Sequence, residues 1–170
     1  MSEDKKNKGY SCPLTKKVLR KIQTTPSKAT RAKMVKALAR LRQPWTLPIL
    51  LECLHNSSES VQEEIVQELS SWNELPLQEL HDRLQKQPWY VKATVLKILG
   101  RLANPGSVRA IAGVIDDPNV EVRRQAALCL GEIAGKEALP LLIKLLKDAN
   151  PFVRQAAEKA LQKASQLRFT

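Results

Sequence analysis

The sequence is short of aromatic residues and cysteines, and these shortages narrow the classes of protein it can represent. Aromatic residues make up 4% of the 170 residues, so a core would be built mainly from aliphatic side chains. The cysteines Cys12, Cys53 and Cys129 are odd in number and far apart, which predicts reduced thiols in a cytoplasmic protein rather than a disulfide framework. No apolar run reaches the ~18 residues that a membrane span needs. The first residues contain no apolar segment typical of a secretory signal.

Signatures of catalysis and of cofactor binding are also missing from the sequence. Neither His55 nor His81 has a His or Glu partner at metal-ligand spacing, and the three cysteines are too dispersed for a zinc site. There is no glycine-rich phosphate loop and no Gly-x-Ser-x-Gly segment. We therefore predict a chain that is not an enzyme, with no catalytic residue, no metal site and no cofactor.

What the sequence does contain is a repeat of 31 residues. The segment Asp117–Leu130 returns as Asp148–Leu161, and a period of this length is typical of stacked helical repeats. The apolar residues Val122, Ala126 and Leu130 fall at i, i+4 and i+8, which predicts a helix with one apolar face.

Five copies of this unit can be followed along the chain, each with a second apolar helical stretch before the helix just described. No segment alternates with period two, so no strand is predicted. Polar residues suited to N-caps stand where four of these helices would begin, namely Ser27, Ser58, Asn119 and Asn150. We predict a disordered basic tail over residues 1–12 and a single array over 13–170, with repeats at about 13–42, 43–72, 73–103, 104–134 and 135–168.

The sequence resembles the HEAT-like repeat family of the phycobilisome-lyase type, through an Asp-x-Asn-x-x-Val-Arg-x-x-Ala pattern at 117–126 and again at 148–157. The resemblance implies an all-α fold, a right-handed α-solenoid of about five helical hairpins. It also implies a ladder in which the Asp and Arg side chains stack from repeat to repeat. Iron-dependent hydroxylases built on this fold carry paired His-Glu steps, which this sequence lacks. The Arg column contains Arg31, Arg123 and Arg154, with Lys92 and Gln62 as departures.

The net charge of +11 is concentrated at one end of the chain. Residues 1–42 contain thirteen Lys and Arg against two acidic residues, whereas residues 43–72 contain five Glu and no Lys or Arg. Lys33, Lys36 and Arg40 share one face of a helix and form a basic patch. Such a patch attracts phosphate backbones or acidic proteins. It is equally consistent with an intramolecular match to the acidic second repeat, or with a soluble capping repeat.

The second helix of each hairpin is expected to line a concave surface, as the family resemblance implies. Its non-core columns combine aromatic, aliphatic and basic side chains, which is the composition of interface hot spots. Tyr90 and Phe152 also stand at predicted helix starts, where they could instead staple the turn. The predicted partner-binding residues are Tyr90, Lys97, Arg101, Arg124, Leu128, Phe152 and Lys159.

These observations predict a non-enzymatic cytoplasmic adaptor or scaffold that binds a protein partner on its concave face. One alternative is a nucleic-acid-associated protein that uses the basic N-terminal repeat. A second alternative, which rests on the resemblance alone, is a subunit of a chromophore-lyase or protein-maturation complex.

Overall fold

The computed structural model describes residues 13–55, 58–72 and 74–166, and every regular element among them is helical. The predicted all-α fold of helical hairpins is therefore confirmed. The chain divides into two compact units, residues 1–75 and 76–170. The predicted basic tail, residues 1–12, lies outside the described residues. The single array with the repeat bounds given above stays a prediction.

The first unit contains two helical hairpins with a core of leucine and isoleucine. In it α2 packs along α4, and α1 packs against both α2 and α3. Complete burial of a leucine or isoleucine contributes roughly 1.5–3 kcal/mol, so few aromatic residues are needed. The helices are α1 (Pro13–Thr24), α2 (Lys28–Arg40), α3 (Thr46–Glu52) and α4 (Glu59–Leu69). Fully buried side chains of this core are Leu47, Leu50, Leu51, Leu54, Ile65 and Leu69.

The second unit contains six α-helices in which short first helices alternate with longer second helices. The elements are α5 (Leu77–Arg83), α6 (Trp89–Leu102), a 3-10 turn (Pro105–Ser107), α7 (Val108–Ala112), α8 (Val120–Ile133), α9 (Ala138–Leu145) and α10 (Pro151–Gln166). Helix α8 packs against α6 on one side and α10 on the other. Val122 and Leu130 are completely buried, in agreement with the apolar face that the 31-residue pattern predicts.

Short polar side chains start several of these helices. Ser27 accepts a hydrogen bond from the backbone N–H of Thr30. Asn119 and Asn150 each accept one from the backbone N–H two residues further along, at 2.9 Å. These bonds satisfy N–H groups that have no partner within the helix. Ser58 precedes α4 as predicted, but its hydroxyl contacts Ser60 instead of capping the helix.

A glycine in α8 allows the last two second helices to approach each other closely. A Cβ atom added at Gly131 would lie 2.6 Å from Cβ of Ala160 and 2.7 Å from its Cα, so there is no room for a side chain. Gly100 faces Cys129 in the same way, with a less severe 3.4 Å approach to Cα. The small residues in these columns therefore set how near one repeat lies to the next.

We expect Gly131→Ala to destabilise the second unit by about 1–3 kcal/mol, because α8 and α10 must separate to admit the methyl group. Gly135→Ala is the matched control, since a Cβ there meets nothing within 4 Å and the backbone φ is not positive. Urea unfolding monitored by circular dichroism measures both variants. Equal midpoints for the two would contradict the close approach.

Candidate functional site

Charged side chains join successive repeats of the second unit at the turns before α8 and α10. Lys92 on α6 donates to Asp117 at 2.7 Å. Arg123 on α8 donates to Asp148 through two nitrogens, Nε to Oδ2 at 2.7 Å and Nη2 to Oδ1 at 3.0 Å. The two carboxylates are 31 residues apart in sequence and occupy equivalent places. Both cations therefore reach forward to the aspartate of the following turn.

Each aspartate of this ladder also organises its own turn. Asp117 and Asp148 accept hydrogen bonds from the backbone N–H groups of Asn119 and Asn150, at 2.9 and 2.8 Å. The side chain of Asp148 is 8% exposed, and the hydrogen bond from Arg123 holds the pKa of Asp148 below its ordinary value. These contacts are internal, and they occupy both oxygens of each largely buried carboxylate. The ladder therefore positions the helices.

We expect Asp148→Asn to destabilise the second unit by about 2–4 kcal/mol, because it leaves the half-buried Arg123 without its counter-charge. Asp116→Asn is the matched control, because it breaks the surface ion pair between Asp116 and Lys144. The Lys144 side chain is 57% exposed and that of Asp116 is 72% exposed, so the free energy of unfolding should fall by less than about 1 kcal/mol. Thermal unfolding distinguishes them.

The lowered pKa of Asp148 predicts that its contribution to stability depends on pH. Because the folded-state pKa of Asp148 is lowered, its contribution is complete above the unfolded-state pKa, near 3.9, and is lost as the pH falls through the folded-state value. The stability difference between the parent and Asp148→Asn should therefore shrink below about pH 4. A difference that stays constant down to pH 2 would contradict the assignment.

A second cluster lies on the surface of α8, beside α6. Glu121 accepts two hydrogen bonds from Arg124, both at 2.8 Å, and one from Gln125 at 2.9 Å. These bonds, together with the nearby charge of Lys97, hold the pKa of Glu121 below its ordinary value. Gln125 is buried and Arg124 is half-buried. The cluster is a fixed, ionised carboxylate surrounded by cations, on the face where partner binding is predicted.

The predicted partner-binding residues lie on all three second helices of this unit. Tyr90, Lys97 and Arg101 are on α6, Arg124 and Leu128 on α8, and Phe152 and Lys159 on α10. Of the seven, Lys97, Arg101, Phe152 and Lys159 are exposed and the other three are half-buried.

One exposed aromatic residue next to this set was not predicted. Trp89 is 49% exposed, and its ring packs edge-on against that of Tyr90 with the centroids 5.8 Å apart. The sequence signal for this aromatic surface is the adjacent pair Trp89 and Tyr90, which follows Pro88 at the start of a helix. The aromatic surface at the start of α6 is thus larger than Tyr90 alone.

The basic patch of the first unit is paired with the acidic second repeat. Lys36 lies 2.6 Å from Glu64 and 3.7 Å from Glu68, and Arg40 lies 3.6 Å from Glu68. Lys33 is exposed. The charge that Lys36 and Arg40 offer to a phosphate backbone is therefore reduced by these glutamates, as the intramolecular alternative anticipates.

The histidines do not form a metal site. His81 lies in α5 with Nε2 at 3.0 Å from the Ser107 hydroxyl, and burial lowers its pKa. His55 follows α3, with Nδ1 at 3.8 Å from a Glu52 oxygen. Within residues 13–55, 58–72 and 74–166, no group of three or more His, Cys, Asp and Glu side chains could hold a metal ion. The described side chains thus do not fit a metal centre.

Two of the three thiols are inert by position. Burial raises the pKa of both Cys53 and Cys129 to about 12, so almost no thiolate forms near neutral pH. Cys12 lies outside the described residues. In a Cys12→Ser variant we expect no labelling by a thiol reagent at pH 8 until urea unfolds the chain. Rapid labelling of the native variant would contradict this burial.

The geometry described above belongs to a known repeat family. The sequence profile of the HEAT repeats matches residues 77–162, just over half of the chain, and that of the PBS lyase HEAT-like repeat matches residues 30–56. The chain is therefore a member of the HEAT-repeat family, which confirms the resemblance seen in the sequence. HEAT repeats commonly mediate protein interactions. No helix in the described part of the chain combines the length and apolarity that crossing a bilayer requires.

Curated relatives narrow the comparison to one kind of enzyme. Deoxyhypusine hydroxylase from Homo sapiens is 33% identical over 78 residues, which are 45% of this chain and 26% of that protein. The enzyme from Candida albicans is 38% identical over 72 residues, 41% of this chain and 23% of that protein. Deoxyhypusine hydroxylase-B from Oryza sativa subsp. japonica is 37% identical over 78 residues, which are 42% of this chain and 26% of that protein. The matched part thus spans about a quarter of the length of these relatives.

Two solved structures share the fold. An engineered protein gives a TM-score of 0.52 at 20% identity, covering 91% of this chain and 80% of that one. Human deoxyhypusine hydroxylase in complex with glycerol gives a TM-score of 0.51 at 18% identity, covering 89% and 74%. At these identities the likeness shows the fold alone.

The relatives overturn the function predicted from the sequence. The prediction of a non-enzymatic adaptor or scaffold is wrong, because the curated proteins that this chain resembles are enzymes named deoxyhypusine hydroxylase. The missing His-Glu steps argue only against the iron-dependent hydroxylase activity, and the prediction that the chain is not an enzyme, which rests on several absent motifs, is wrong as well. The similarity to these enzymes extends over more than 70 residues and does not depend on any one of those motifs.

Proposed function

We propose that this chain serves a deoxyhypusine-hydroxylase-type activity by binding the protein that carries deoxyhypusine. The similarity of 33% over 78 residues to the human enzyme carries the proposal. The described side chains do not fit a metal centre, so no chemical step is assigned to them. What they are suited to is recognition of a protein substrate.

The second helices of the residue 76–170 unit are the proposed recognition surface. Tyr90 and Trp89 offer adjoining aromatic rings at the start of α6, and Lys97 lies two turns further along the same helix. The Glu121 carboxylate is fixed by Arg124 and Gln125 on α8, so its charge costs little to orient when a substrate arrives. Fixed charges and aromatic rings on the second helices of one unit suit specific protein recognition.

The remaining features fit a role inside the cell. Cys53 and Cys129 are buried and not in a disulfide, which is consistent with the reducing cytoplasm that we propose as the location of the chain.

A binding experiment tests the proposal directly. Two peptides that differ only in carrying deoxyhypusine or lysine at one position are titrated into the full chain, with calorimetry as the measurement. We expect tighter binding of the deoxyhypusine peptide. Equal affinity for the two peptides would contradict the proposal. Mass spectrometry of the recovered peptide reports separately whether it has gained an oxygen atom.

Variants locate the recognition surface. We expect Tyr90→Ala combined with Lys97→Ala to weaken binding of the deoxyhypusine peptide by about tenfold, since each truncation costs about 1 kcal/mol or less. Arg109→Ala is the matched control, because it removes an exposed cation from α7, a first helix. It should change the affinity less than about twofold. An equal loss of affinity in the double variant and in Arg109→Ala would contradict the placement of the recognition surface on the second helices.

A further inference from the structure

At the turn before α10, Arg154 repeats the backbone contacts that Arg123 makes one repeat earlier, but it lacks a carboxylate partner like Asp148 among the described residues. Nη1 of Arg123 donates to the backbone oxygens of Asp117 and Pro118, at 2.9 and 3.3 Å. Nη1 of Arg154 donates to the equivalent oxygens of Asp148 and Ala149, at 2.8 and 2.9 Å. The two guanidinium groups are thus anchored alike.

The other edge of the guanidinium distinguishes the two residues. Nε and Nη2 of Arg123 hold the carboxylate of Asp148, as described above. Arg154 is exposed and forms no ion pair with a carboxylate among the described residues, although its charge contributes to lowering the pKa of Asp148. The turn anchors the guanidinium through Nη1, as it does for Arg123, and neither Nε nor Nη2 of Arg154 donates to an acceptor among the described residues.

An open groove of about 560 Å³ lies beside this arginine. Phe152, at the start of α10, is 66% exposed and lines it with Arg154 and the exposed Glu158. Leu146 and Pro151 complete its apolar wall, and Gln155 lines it as well. An anchored guanidinium next to an exposed aromatic ring is a pairing found in interface hot spots.

The outer face of α10 has longer side chains than the faces of α6 and α8 that contact the following second helix. Gln162 occupies the column in which Gly100 and Gly131 admit the following helix. Glu158 occupies the column of Leu96 and Ala127, both fully buried. A stacked repeat, including one from a second copy of this chain, would meet these longer polar side chains. A narrower ligand is needed.

We infer that the groove beside Arg154 binds a protein segment in which an aspartate or glutamate adjoins an apolar residue. The carboxylate pairs with Nε and Nη2 of Arg154, as Asp148 pairs with Arg123 one repeat earlier. The apolar residue packs on Phe152. Glu158 opposes the incoming charge and so limits the affinity. The docking site does not depend on the proposed hydroxylase function, and the probes that test it contain no deoxyhypusine.

The test uses two labelled synthetic peptides that differ only in Asp or Asn beside a leucine, added to the full chain. Fluorescence anisotropy gives the affinity, and the ¹⁵Nε resonance of Arg154 reports direct contact. We expect saturable binding of the Asp peptide, a shift of the Arg154 resonance, and at least about tenfold weaker binding of the Asn peptide. Equal binding of both peptides, or no saturable binding, would overturn the inference.

Variants separate this site from general charge attraction. Arg154→Gln should weaken binding of the Asp peptide by about tenfold or more, and Glu158→Gln should strengthen it severalfold. Lys147→Gln, which removes an exposed cation of the same repeat, should change it less than about twofold. Equal losses for Arg154→Gln and Lys147→Gln would overturn the inference. Should Arg154→Gln fail to fold, Arg154→Lys keeps the charge without the two-pronged geometry and should still weaken binding severalfold.

Discussion

The hydrogen-bonded pairing of each cation with the aspartate of the next turn fixes the geometry of the second unit. Arg123 can reach Asp148 with two nitrogens only if α8 and the turn before α10 lie at one separation. The glycine at position 131 permits that separation by leaving space for Ala160. Attraction at the turn and the absence of a side chain in the helix therefore act together. Lys92 supplies a single-point version of the same link one repeat earlier.

The fold could be predicted from the sequence because the repeat is visible in the regular spacing of apolar residues. The i, i+4, i+8 pattern led directly to the buried face of α8, and Val122 and Leu130 are completely buried as it requires. The caps at Asn119 and Asn150 follow from side-chain chemistry alone. The absence of a capping bond at Ser58 does not follow from residue type, because the Ser58 hydroxyl bonds to the hydroxyl of Ser60 instead.

The functional surface was less accessible to such reasoning. Periodicity places Lys36 and Arg40 on one face but does not say that Glu64 and Glu68, some thirty residues further on, lie opposite them. The direction of the Arg154 guanidinium depends on backbone oxygens in a turn, which residue types do not encode. The relation to hydroxylases lay in the similarity of whole repeats to whole repeats. The presence or absence of particular catalytic side chains does not reveal a similarity of this kind.

The contact between Gly131 and Ala160 has a consequence for how such a chain can diverge. A larger residue at either position requires a smaller one at its partner, or a new distance between two helices. Substitutions at these two positions are therefore coupled across neighbouring repeats, whose second helices pack more extensively on each other than on the first helix of their own hairpin. Exposed positions such as Phe152 carry no such constraint, so recognition can change while the spacing of the repeats is preserved.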